Sequence, residues 1–256
     1  MDNQGLPSPG ENPAGEEATS FGTLLTNVFA SPKEAFEAIA GSPVKHMRWV
    51  IPFLVTLLLM LVGLYLITSN PTFSQQMRDA QVAAFQKQVD EGSMTQQQAD
   101  QIADQMGSGS NMILIFGSIG GSIFILLYYV LGALALWLGA KIVLKSDAPY
   151  GKFLEVYGLA SWIGIFGAIV TFMLMLGLDS MYASASAALA VVSEFDPANT
   201  THKILKSLDV FAAWQAVAAG IGIGAVAKKE SGAGIGVAMV LWVVWVAISV
   251  GLGLAR

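Results

Sequence analysis

The chain has 256 residues, 54% of them hydrophobic and 12% charged, with a net charge of -5 and no cysteine. An ordinary soluble domain is about one quarter charged, so this composition points to a polytopic membrane protein. Without cysteine there are no disulfides, thiolate metal centres or cysteine nucleophiles, and an acidic chain without clustered cations is a poor partner for nucleic acid.

Residues 1–19 hold Gly, Pro, Glu and Asn with one leucine, too little apolar surface to offset the entropy of ordering, and are expected to be a disordered tail. The start is acidic and has no apolar signal region, so the first membrane helix is expected to act as the insertion signal. Residues 20–44 read as amphipathic interfacial helices. Leu24, Leu25, Val28 and Phe29 form one apolar stripe, and Phe36 and Ile39 a second. Such stripes suit helices lying on the membrane surface, or equally helices packed on the protein itself. Ser31, Pro32 and Glu34 carry the pattern of a helix start.

Residues 45–256 are expected to form a five-helix transmembrane domain, with spans at about 49–68, 112–144, 154–178, 210–226 and 233–254. Each is a continuous apolar run of the length needed to cross hydrocarbon, without the alternation of a barrel. The fold class is therefore all-α. Basic residues set the orientation. Lys33, Lys45, Arg48, Lys141, Lys145, Lys152, Lys228 and Lys229 fall on one side and hug the span ends. The reading is a multi-pass protein of the cell (inner) membrane, N-terminus cytoplasmic and C-terminus outside. Two larger segments then face out, a helical loop at 69–111 and a loop at 179–209. Within the first, Thr95 and Gln98 form a capping box and Phe85 and Val89 should face inward.

No charge lies near the midpoint of any span, which argues against an ion-coupled transporter. Glu155 and Asp179 fall at the two ends of the third span and Asp209 at the start of the fourth. Asp209 suits a helix N-cap, where free N–H groups and the helix dipole favour a negative charge, and Phe211 and Trp214 suit interface depth. Ser118, Ser122, Tyr128, Tyr129, Ser161, Thr171, Gln215 and Ser249 are the mild polar groups available for bonds between helices. Gly117 and Gly121 form a GxxxG step, and Gly220, Gly222 and Gly224 smooth one side of the fourth span, as close helix packing requires. No HExxH, GxSxG or nucleophile beside a histidine occurs, and His46 and His202 are far apart. No catalytic residue, metal or cofactor is expected.

The order of parts resembles the Yip1 family of five-span membrane proteins, its bacterial members above all. Phe29, Pro32 and Phe36 match an aromatic-x-x-Pro element ahead of the first span; Asp209, Phe211 and Trp214 match the start of the fourth. Tyr157 and Gly158 are similar to the Tyr-Gly of eukaryotic members. Those members are associated with Rab GTPases and Golgi vesicle traffic, but their cytoplasmic Asp-Leu-Tyr-Gly-Pro motif is missing here, so that partner is not implied. The resemblance implies a topology more than an activity. The leading expectation is a non-enzymatic protein that organises or assists other membrane proteins or the bilayer through helix–helix contacts. Its partners would be the lipid bilayer and a membrane protein or a second copy of itself. A transport component, as a small permease or exporter subunit, is the first alternative. Lipid handling, in a groove lined by Trp162, Phe166 and Met173 with a basic rim from Lys145 and Lys152, is the second.

Overall fold

The computed structural model describes residues 20–107 and 110–252. The tail 1–19 and the last residues of the expected fifth span lie outside the described residues. The described chain is helical, in the order α1 (Phe21–Ala30), α2 (Pro32–Ala40), α3 (Met47–Ser69), α4 (Pro71–Asp90), α5 (Gln96–Gly107), α6 (Ser110–Val143) and α7 (Tyr150–Leu178). A 3-10 segment (Ala187–Glu194), α8 (Thr200–Ser207), α9 (Val210–Val226) and α10 (Ser231–Gly251) complete it.

Among the described residues, four helices are long and apolar enough to cross a membrane: Met47–Ser69, Leu114–Val143, Tyr150–Leu178 and Ser231–Gly251. The fourth expected span, α9, is apolar but has only 17 residues, about 25 Å of helix against a hydrocarbon core of about 30 Å. Both of its ends are fixed locally. Asp209 caps the first turn, and Lys228, in the left-handed region at φ 55°, turns the chain immediately after the helix.

Helix α7 is the centre of the bundle, packed by α1, α2, α3, α6 and α9. Its residues Phe153, Val156, Leu159, Ala160 and Ile163 are buried in one core cluster with Leu24 and Val28 of α1 and Phe36 and Ile39 of α2. The apolar stripes of α1 and α2 are therefore turned toward the protein, while Lys33, Glu34 and Glu37 stay exposed. Leu24, Val28, Phe36 and Ile39 are buried there, whereas Leu25 and Phe29 are half-buried.

Local capping explains where several helices begin. The Ser20 side chain accepts from the Thr23 N–H at α1. Thr95 and Gln98 form their reciprocal pair at α5, with the Thr95 N–H donating to Gln98 Oε1 at 3.0 Å. Ser31 occupies the cap position of α2 and Pro32 its first turn, but the serine side chain makes no capping bond.

The glycines set how closely the helices approach. A Cβ at Gly220 would lie 2.5 Å from Ile235 Cα, and one at Gly224 would lie 3.0 Å from the Glu230 carbonyl oxygen. A Cβ at Gly222 would meet Val156 and Phe36 side chains at 2.6 and 2.7 Å. Gly117 and Gly121 work differently: each receives a side chain of α3, Leu64 and Met60. The expected polar bonds between helices are mostly satisfied within one helix. Ser122 donates to the Ser118 carbonyl, Ser161 to that of Tyr157 and Ser249 to that of Val246, whereas Tyr129 pairs across to Thr56 of α3 at 3.0 Å. A hydroxyl one turn from a carbonyl reaches it without any neighbour.

A side chain at Gly220 must push α9 from α10. Gly220→Val is expected to cost about 1–3 kcal/mol, read as a lower melting temperature in mild detergent. Gly120→Ala, at a position where nothing lies within 4 Å, should leave the melting temperature unchanged or raise it.

Candidate functional site

Three arrangements concentrate the chemistry that the described residues offer. The first is a buried ionic cluster. Glu155 lies just inside the N-terminal end of α7 with 0% of its surface exposed, beside Arg48 at 5% and Lys152 at 7%. One carboxylate oxygen accepts from the Lys45 backbone N–H at 2.7 Å and from Arg48 Nη1 at 3.0 Å. The other accepts from Lys152 Nζ at 2.7 Å. Lys152 also donates to the Ile39 carbonyl at 2.5 Å, and Arg48 donates to Ser42 Oγ at 2.8 Å. That carbonyl belongs to the last turn of α2, whose final C=O groups have no partner within the helix and attract cations. The cluster therefore joins the end of α2, the start of α3 and the first turns of α7. Every member is satisfied, which suits a clamp better than an acid or base awaiting substrate.

The second is an aromatic junction between α1, α7 and α9. Phe29 meets Phe166 edge-on at 6.1 Å and Trp214 at 5.7 Å between ring centroids. Phe211 meets Phe166 at 5.6 Å and stacks on Trp214 at 6.4 Å. Asp209 Oδ1 accepts from the N–H groups of Phe211 and Ala212 at 2.8 and 2.9 Å, which fixes the first turn that carries both rings. Pro32 opens α2 beyond this junction, and Phe36 follows one turn later, buried against Val156 and Gly222. Tyr157 packs edge-on against Tyr128 and Tyr129. Gly158 faces α3, where a Cβ would lie 2.6 Å from Trp49 Cβ and 2.9 Å from the Arg48 carbonyl oxygen. The structure thus brings Phe29, Phe211 and Trp214 together, gathers Phe36 with Gly222, and keeps Tyr157 and Gly158 in a separate contact with α3 and α6.

The third is a pair of clefts. A cleft of about 590 Å³ runs between α6, α9 and α10, lined by Leu131, Tyr157, Ala216, Leu241 and Trp245, with Lys206, Ser207 and Asp209 at one end. A smaller one of about 330 Å³ lies between α3, α6, α7 and α9, with Thr56, Tyr129, Ser161 and Gln215 among apolar side chains. Phe124, Tyr128 and Gln215 border both. Lys206 Nζ stands over the rings of Tyr182 and Phe195 at 5.6 and 5.3 Å. Burial lowers its pKa below the usual lysine value. Burial first, and then the charges of Asp79 and Asp196, raise that of Tyr182.

The Yip1 domain matches residues 26–253. The chain belongs to the Yip1 family. No curated protein and no solved structure matches it. With four helices able to cross a bilayer, this Yip1-domain chain is a membrane protein.

Sequence reading missed the Glu155 cluster. Arg48 and Lys152 counted there as orientation signals at span ends, and Glu155 as a boundary acid. The readable signal was Lys152 and Glu155 three residues apart on one helix face. The groove of the lipid-handling alternative, around Trp162, Phe166 and Met173, is not rimmed by Lys152, which points inward to Glu155. Phe21 and Phe29 of α1 pack on Trp162 and Phe166. Among the described residues no group of His, Asp and Glu could hold a metal ion.

Truncating one partner of a buried pair leaves the other charge uncompensated, at about 3–5 kcal/mol. Glu155→Ala is expected to lose that much stability in detergent unfolding. Glu37→Ala, which removes only the exposed pair with Lys33 at 3.8 Å, should leave unfolding unaltered.

Proposed function

We propose that this Yip1-domain protein is a non-enzymatic, five-span protein of the cell (inner) membrane that organises or assists other membrane components. The observation carrying this reading is the α4–α5 arm. Helix α4 has 20 residues, about 30 Å of length, and is held to the bundle at its first turns. There Phe73 is buried with Met175 and Ala183. Gln76 donates to the Asp179 carbonyl at 3.4 Å and accepts from the Met181 N–H at 2.8 Å. Beyond those turns α4 is polar and much of its surface is free, with Val82 an exposed apolar side chain on it. A polar arm fixed at one end by a rigid bundle is well placed for recognition.

The fifth span in this reading is α9. Its short length is offset at the N-terminal end by its aromatic first turn, where Trp214 packs on Phe29 of α1 and Phe211 on Phe166 of α7. The N-terminus is cytoplasmic and the residues after α10 emerge outside, as the basic residues Lys141, Lys145, Lys228 and Lys229 around the short turns support. The second reading, a transport component, draws on the smaller cleft and its polar groups. Its lining is mainly apolar, and Thr56 and Tyr129 are bonded to each other. That favours a packed interior over a hydrated path.

Photo-crosslinking in cells from an unnatural amino acid at Val82 tests the arm. A reproducible protein adduct is expected there, with lipid adducts from Leu58 on the exposed face of α3. The same lipid adducts from both positions, or none from Val82, would overturn the recognition role.

A further inference from the structure

We propose that the cleft between α6, α9 and α10 is a binding site for one acyl chain of an anionic phospholipid, with the headgroup at Lys206. This goes beyond the organising role and does not depend on it. The cleft is mainly apolar, with Tyr128, Tyr157, Gln215 and Ser249 as uncharged polar groups in its lining. Leu127, Leu131, Leu136, Ala216, Ala238 and Leu241 are among its lining, and no carboxylate or basic group interrupts them until Lys206 and Asp209 at one end. Between Ala238 and Ser249 on the α10 wall it extends for about 17 Å of helix rise. One leaflet of a hydrocarbon core about 30 Å thick is close to that length. Its volume of about 590 Å³ falls within the range of small-ligand sites.

The cleft also opens in the right direction. Leu127 and Leu131 on α6 and Trp245 on α10 are lining residues with 50%, 56% and 38% of their surfaces exposed. These three form the lips of a sideways opening, the direction from which a chain already in the bilayer can enter.

The polar end selects charge. Lys206 forms no ion pair among the described residues; its ammonium group has only the faces of Tyr182 and Phe195. Asp209, the one acid in the cleft lining, already accepts two backbone N–H groups of α9 through Oδ1. A phosphate at this end would restore a hydrogen-bonding anion to a partly desolvated cation. A zwitterionic lipid would bring its own cation beside Lys206.

The test is native mass spectrometry of the purified full chain released from mild detergent after mixing with phosphatidylglycerol or phosphatidylcholine of equal chain length. One phosphatidylglycerol retained per chain is expected, with phosphatidylcholine held about tenfold more weakly. Ala135→Trp, which fills the cleft from α6, should abolish retention, and Leu131→Trp on the exposed lip should do the same if the first variant fails to fold. Lys206→Gln should reduce retention of phosphatidylglycerol about tenfold and leave phosphatidylcholine unchanged. Equal retention of both lipids, or retention undiminished in the folded tryptophan variants, would overturn the site.

Discussion

A carboxylate without access to water fixes this architecture. Glu155 is fully buried, and its two oxygens are held by the Lys45 N–H, Arg48 and Lys152. An ionised carboxylate removed from water is tolerable only when paired and hydrogen-bonded. The segment from Ile39 to Arg48 must therefore fold against the start of α7 before either is stable there. That requirement brings the last turn of α2 and the first turn of α3 to one place, and places the α1–α2 pair along α7 and α9 instead of free at the membrane surface.

The rest of the packing follows from this docking. With α2 held at Ile39, Phe36 enters the space left by Gly222, and Phe29 reaches Phe166 and Trp214. The aromatic contacts are each modest, about 0.5–1.5 kcal/mol beyond their buried area. Their value lies in joining three helices at one point. The small residues of α9 serve two neighbours at once. Gly220 and Gly224 admit the backbone of α10, and Gly222 admits α2 and α7. A helix with so little side-chain bulk on those faces can be short and still be fixed from both sides. The same thinness leaves room on its remaining side for the cleft bordered by α6 and α10.

Much of the fold is legible in the sequence because its signals are local and strong. Long apolar runs give α3, α6, α7 and α10; Asp209 and the Thr95–Gln98 pair mark helix starts whose bonds form within a few residues. The glycines reveal that helices approach closely but not which ones, since Gly117 turns to a side chain and Gly220 to a backbone. Glu155 stayed hidden because its partners Lys45 and Arg48 lie more than 100 residues away, and a charged residue near a span end reads as a solvated boundary. The apolar stripes of α1 and α2 were equally readable as facing lipid or protein, because both environments favour the same side chains. The cleft at Lys206 has no linear motif: its walls come from three helices and its polar end from α8 and the cap of α9.

The most direct test of the clamp is hydrogen–deuterium exchange of the full chain in lipid nanodiscs, comparing the wild type with Glu155→Gln. Amides of residues 21–40 should exchange as slowly as those of α7 in the wild type. In the variant they should lose protection while α9 and α10 keep theirs. Fast exchange over 21–40 in the wild-type protein, or unchanged protection in Glu155→Gln, would contradict a docked pair of helices held by the buried carboxylate.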